Sequence, residues 1–263
     1  MNKTSREKVI FFGNGALAEY ALSVLESRFE IVFHARERKD LERACELKRD
    51  FPKIHGVLAS FGVLIPESVL EIFEPEGILN IHPSLLPEYR GASPIESAIL
   101  DGANDFSVSI MKLVRAIDAG PIYYQTTLSG LPLEKDAIYR ALAEAGAKWI
   151  CSNLNNLPEP VLQDNSKATF CGKLSKVMGF LEPKVDSAEK TLRKIIAFSG
   201  FPKAKYEFFG VTCIIHSAHL LEPGETAILE LPCADGRNLA IDSLQPEGRK
   251  TMDAKAFING YVR

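Results

Sequence analysis

Val9-Ile10-Phe11-Phe12-Gly13-Asn14-Gly15-Ala16-Leu17-Ala18 opens the periodic pattern of this chain: four apolar residues, a glycine turn, then apolar residues at helical spacing as far as Leu25. The stretch reads as strand, tight turn and helix. The same alternation repeats. Glu30–His34 reads as a second strand and the charged run Arg36–Asp50 as a solvated helix; His55–Phe61 is a third strand and Pro66–Phe73 a short helix. Ile78–His82 is a fourth strand, followed by a helix over Ala92–Leu100. Strands alternating with helices predict right-handed crossovers and an open, mainly parallel, Rossmann-like sheet with helices on both faces. Such sheets bind ligands at the carboxyl ends of their strands, where His82 stands.

Phe106–Leu113 alternates in polarity, with Val108 and Ile110 against Ser107 and Ser109, and Ile122–Leu128 is a second β-rich run. A long helix over Leu133–Leu154 closes a first domain, residues 1–155. Asn155-Asn156-Leu157-Pro158-Glu159-Pro160 then begins a turn-rich stretch, and 156–180 reads as a linker. In residues 181–263 the pattern changes to one helix (Ser187–Phe198) and short strands near Ala204–Phe209, Thr212–Leu220, Ala227–Leu231 and Leu239–Leu244, before a short helix at Ala254–Ile258. That pattern predicts a small β-barrel or curled sheet, OB-like in kind.

The totals fit a soluble two-domain protein: 263 residues, 46% hydrophobic, 25% charged, formal net charge −3. A dedicated nucleic-acid binder would be strongly basic; an enzyme acting on one end of a nucleic acid needs only a local patch. No apolar run is long enough to span a membrane, and the first residues lack the h-region of a signal peptide. The five cysteines are scattered and odd in number, which predicts free thiols and a cytoplasmic location. No His/Cys cluster has metal-ligand spacing, so no metal is expected.

Three polar residues carry the candidate chemistry. Asn80 and His82 are two apart on a strand, so both emerge on one face, and Asp118 lies in a loop beside Gly120. An amide can hold a developing oxyanion, an imidazole can move a proton, and a carboxylate beside it fixes its tautomer and raises its basicity. The other histidines offer less: His34 and His55 stand at strand ends with no evident partner, and His216 and His219 fall on opposite faces of a strand. Gly13-Asn14-Gly15-Ala16-Leu17-Ala18 matches the dinucleotide fingerprint G-x-G-x-x-A, but the acidic residue expected at the end of the second strand is missing. A tight turn and a cofactor loop are both open readings of it.

Asn80-Ile81-His82-Pro83-Ser84-Leu85-Leu86-Pro87-Glu88-Tyr89-Arg90-Gly91 resembles the signature of the folate-dependent formyltransferases. With Ala92-Ser93-Pro94-Ile95, Ser109-Ile110-Met111-Lys112 and Asp118-Ala119-Gly120-Pro121, the chain is similar to the methionyl-tRNA branch of that family. The resemblance continues through Ala168–Leu174, Ile196–Phe198, Ser243–Met252 and Phe257–Gly260. It implies transfer of the formyl group of 10-formyltetrahydrofolate to the α-amine of methionyl initiator tRNA, by a monomer. Asn80 would polarise the formyl oxygen, His82 would manage the amine proton and Asp118 would orient His82. Ser84, Leu85, Leu86 and Pro87 would line the reduced folate, with Phe61, Gly62 and Leu64 as the neighbouring wall. The Gly13 turn would then be the family's first strand-to-helix turn.

The family's tRNA-modifying members carry a long basic insertion between the second and third strands; here Ala35–Ile54 leaves room for one helix. Charges balance over residues 180–263, so that part offers no basic footprint. A sugar-nucleotide N-formyltransferase with the same donor, an NADP-linked oxidoreductase built on the Gly13 loop, and a non-catalytic RNA-binding relative are the rival readings.

Overall fold

The computed structural model describes residues 6–262, and the chain falls into two compact units. The first comprises residues up to Ile95 together with Asn104–Gly172; the second comprises Glu96–Ala103 and residues from Lys173 onward. Through the first unit run β1 (Lys8–Phe12), α1 (Ala16–Leu25), β2 (Glu30–Ala35), α2 (Asp40–Asp50), β3 (His55–Leu58), α3 (Glu67–Ile72), β4 (Ile78–His82) and the two-residue β5 (Arg90–Gly91). After α4 (Pro94–Leu100) come β6 (Phe106–Lys112), β7 (Ile122–Leu128), α5 (Lys135–Asn153) and the two-residue β8 (Phe170–Cys171).

The six-stranded sheet has the order β2-β1-β3-β4-β6-β7. Its first four strands are parallel and β6 runs antiparallel to both of its neighbours, β4 and β7, so it is a mixed sheet of Rossmann-like character. Apolar residues on both faces of β1 explain why its run is continuous rather than alternating. Ile10, Phe12 and Ile78 join α2 and α3 residues such as Leu41, Ala44 and Val69 in one core cluster. Since side chains alternate along a strand, Asn80 and His82 share that face of β4 with Ile78. They stand where β4 leaves the cluster for the loops.

Gly13 makes a tight turn. A Cβ there would lie 2.2 Å from the Ala59 carbonyl oxygen, and its N–H donates to the Ala35 carbonyl. Its own carbonyl accepts from His34 Nε2 at 2.9 Å, and Arg36 Nε donates to His34 Nδ1. His34 therefore does have partners, and they secure the first turn to the end of β2.

Two further expectations change. The second helix begins at Asp40, not Arg36, because the Asp40 carboxylate accepts the N–H groups of Arg36 and Glu37 and folds those residues into a turn ahead of the helix. The Arg36 N–H holds that carboxyl below its usual range. The helix is also not wholly solvated: Lys48 is 4% exposed, its ammonium donating to the carbonyls of Pro52 and Ile54 and pairing with Glu76 at 3.4 Å. Its long apolar stem covers the core while its charge is satisfied at the rim.

In the second unit, α6 (Ala188–Ala197) precedes β9 (Lys205–Phe208), β10 (Val211–Leu220), β11 (Glu230–Pro232), β12 (Asn238–Pro246), β13 (Met252–Asp253) and α7 (Ala254–Tyr261). The sheet order is β11-β12-β10-β9, with β13 on β12, all antiparallel. Register shifts around Ser217 bend β10, as bulges do. The small barrel expected from sequence takes the form of a curled half-barrel. Ser187 and Asp253 cap α6 and α7, accepting the N–H groups of Lys190 and Ala256.

Candidate active site

Asn80 and His82 lie in the middle of the sheet, between β3 and β6, and are 5% and 4% exposed. His82 is hydrogen-bonded at one side of its ring and faces a carboxylate at the other. Nε2 donates to the Tyr89 carbonyl at 3.1 Å, and Nδ1 lies 3.6 Å from Asp118 Oδ1. The Tyr89 carbonyl is thus the group that fixes the tautomer: with the proton on Nε2, the lone pair of the neutral ring is on Nδ1, toward the carboxylate. Tyr89 holds a positive φ of 53°, and its N–H is tied to Thr169 Oγ1 at 2.8 Å. A non-glycine residue held in that region beside a buried imidazole is backbone strain located at a site.

Asp118 also has a positive φ, 47°. Its Oδ2 accepts the Gly91 N–H at 2.8 Å, which leaves Oδ1 to face His82. Gly91 cannot be another residue: its φ is +124°, and a Cβ would lie 2.1 Å from the Cys171 carbonyl oxygen. The Asn80 amide makes no hydrogen bond to any described residue and keeps a small opening to solvent. An amide that has no protein partner but is reachable from solvent is available to an incoming carbonyl.

The Ser84–Pro87 loop is laced to the sheet through Ser109, which is fully buried. Ser109 Oγ donates to the Ser84 carbonyl at 2.6 Å and accepts from Leu86 N–H and Gln125 Nε2; Gln125 also donates to the Leu86 carbonyl. Ser84 Oγ closes the loop on the Glu88 carbonyl. Leu86 is buried by these bonds, whereas Leu85 is exposed. Of the residues after β3, Phe61 packs edge-on against Phe12 in the core, while Gly62 and Leu64 are exposed. A cavity of about 370 Å³ lined by His55, Glu76, Tyr123 and Asn155 lies instead at the start of β3, away from Asn80 and His82. Among the described residues no cluster of three His, Cys, Asp or Glu side chains could hold a metal ion, and no helix is long and apolar enough to cross a membrane.

The structure brings Asn80, His82 and Asp118 together and sets the Ser84–Pro87 loop immediately after them. Sequence reasoning missed Tyr89, whose contribution is a main-chain carbonyl, and Ser109 and Gln125, which look like the outward residues of half-exposed strands.

A mixed sheet that carries an amide, an imidazole and a carboxylate, followed by a curled β-unit, gives the chain two modules. Residues 19–154 match the formyl transferase family and residues 173–262 its C-terminal domain; the chain belongs to the formyl transferase family. The methionyl-tRNA formyltransferase of Dehalococcoides mccartyi (strain CBDB1) is 34% identical over 244 residues, covering 87% of this chain and 77% of that one. Among solved structures, HypX from Aquifex aeolicus in complex with tetrahydrofolic acid superposes with a TM-score of 0.73 at 17% identity, over 99% of this chain and 48% of that one. The methionyl-tRNA formyltransferase of Clostridium thermocellum gives 0.68 at 18% identity, over 92% and 98%. At those identities the structural likeness establishes the fold.

Proposed function

We propose that this protein transfers the formyl group of 10-formyltetrahydrofolate to the α-amine of methionyl initiator tRNA, with Asn80, His82 and Asp118 as its catalytic residues. The observation that carries the reading is the Asn80 amide, free of protein partners and open to solvent on the same strand face as His82. The amine nitrogen attacks the formyl carbon and forms the new C–N bond. The carbonyl π pair moves to oxygen, and the Asn80 N–H groups donate to that oxyanion. The amine proton passes to Nδ1 of His82, which then bears a charge balanced by Asp118 Oδ1. Collapse of the oxyanion breaks the bond to the folate N10, which takes up the proton held by His82 and leaves as tetrahydrofolate, returning the imidazole to neutral. Ser84–Pro87 hold the folate beside β4, and the exposed Leu64 and Leu85 offer apolar surface to its flat ring, with Gly62 leaving room for it. Phe61 supports that wall from the core.

The acceptor rests on the methionyl-tRNA formyltransferase relatives and on a C-terminal domain of the same kind. A sugar-nucleotide amine is the second reading, favoured by one feature: the β2–β3 connection contains only α2. We place the enzyme in the cytoplasm, a reading supported by its five free cysteines, and treat it as a monomer. Residues 1–155 carry the chemistry in this reading, and 181–263 help seat the acceptor. Incubation with formyl-labelled reduced folate and either charged initiator tRNA or an amino-sugar nucleotide tests the reading. Label on the tRNA is expected, and label on the sugar alone would overturn the acceptor.

A further inference from the structure

Asp118 is held from two directions, and only one of them reaches its carboxylate. The Gly91 N–H bonds Oδ2; the main chain around Asp118 is held by Gln163, whose Nε2 donates to the carbonyls of Asp118 at 2.8 Å and Gly120 at 2.7 Å. An amide nitrogen has two hydrogens, so these two bonds use it fully. The oxygen of the same side chain accepts from Arg90 Nε at 3.1 Å and from an Arg90 terminal nitrogen at 2.6 Å, while Asn165 Oδ1 accepts from that terminal nitrogen at 2.8 Å.

Arg90 is 4% exposed. A guanidinium can only donate, so it forces the Gln163 oxygen toward itself and the Gln163 NH₂ toward the two carbonyls. The amide cannot flip without setting donor against donor. No carboxylate lies within ion-pairing distance of Arg90 among the described residues, so its charge rests on these neutral oxygens, an expensive arrangement to keep for packing alone. Arg90 and Gly91 are consecutive. One holds the Asp118 carboxylate directly and the other holds its backbone through Gln163. We infer that Gln163 is a positioning residue for Asp118, its orientation set by Arg90, and that the turn-rich stretch around it is part of the catalytic framework.

The inference rests on the catalytic reading of Asp118, and a double-mutant cycle separates the two. Formyl transfer is measured for wild type, Gln163→Leu, Asp118→Asn and the double variant. Gln163→Leu should lower kcat about 10- to 100-fold, the scale of losing an outer partner of a site group, with the KM for folate within about 3-fold. In the Asp118→Asn background the same change should cost less than about 2-fold, because the group it positions no longer acts. An equal loss in both backgrounds, or wild-type kcat in Gln163→Leu, overturns the inference while leaving the site intact. Full activity of Asp118→Asn removes the site reading and the inference with it. Gln163→Glu, isosteric and still an acceptor for Arg90 but without donors for the two carbonyls, covers the case in which the leucine variant does not fold. Wild-type kcat in Gln163→Glu likewise overturns the proposal.

Discussion

Among the described residues each unit contains a histidine–aspartate pair, and the function proposed makes the shorter of the two the less consequential. His219 and Asp242 meet at 2.9 Å on the curled sheet of the second unit, with side chains 51% and 44% exposed. His82 and Asp118 stand 3.6 Å apart in the first unit, at 5% and 14%. The exposed pair is surrounded by water, which screens it and competes for its hydrogen bonds. The buried pair lies in a medium where a charge appearing on the imidazole is strongly felt, and where the Tyr89 carbonyl has already fixed the ring. Under the proposed function, distance alone would rank the two pairs wrongly. Burial and the Tyr89 carbonyl on the far side of the His82 ring set the two pairs apart.

Removing the proposed imidazole or its neighbouring amide should have the largest effect. His82→Ala or Asn80→Ala should slow turnover by ~100-fold or more, the scale of losing an acid–base or oxyanion group, with reduced-folate binding kept. Ser109→Ala comes next, because it strands the Leu86 N–H, the Ser84 carbonyl and the Gln125 amide in a buried place. Denaturant titration should show a loss of about 2–3 kcal/mol, and the KM for folate should rise as the Ser84–Pro87 loop loosens.

A third test contrasts a carboxylate used for stability with Asp118, the one proposed to act in catalysis. Asp186 is 3% exposed and bonded by Lys190 at 2.6 Å and by Lys194. Burial would raise its pKa, but the hydrogen bonds from the two lysines outweigh that and hold it below the ordinary carboxylate value. Its contribution is therefore complete above about pH 4 and is lost as pH falls through the lowered folded-state value. Asp186→Asn should destabilise the protein by about 1–2 kcal/mol at pH 7, since Lys190 can turn to water, and the gap from wild type should close on acidification. Urea titrations at neutral and acidic pH would show both, with formyl transfer unchanged. The smallest effect belongs to the exposed pair: His219→Ala should shift stability by less than about 0.5 kcal/mol.

The strand–turn–helix pattern was legible because each strand of the first unit is bounded by glycine, proline or a charged helix. Asn80 and His82 were legible as one-faced because a strand's period is fixed at two. Ser109 was not: alternation with Val108 and Ile110 suggested an outward residue, whereas β6 is flanked by β4 and β7 and covered by the Ser84–Pro87 loop. Tyr89 could not be read at all, since a carbonyl aimed by a positive φ leaves no mark in side-chain chemistry. Gln163 and Thr169 lie in a stretch rich in turn formers, whose polar residues look solvated until their long-range partners are known. The second unit's half-barrel was signalled by turns at Pro223-Gly224 and Ala234-Asp235-Gly236, but β13, two residues long, has too little pattern to announce itself.

The most direct test sets the two pairs side by side in one assay. Single-turnover formyl transfer from 10-formyltetrahydrofolate to charged initiator tRNA should be slowed ~100-fold or more in His82→Ala and be unchanged in His219→Ala. Equal rates in the two variants would contradict the assignment of the buried pair as the catalytic one.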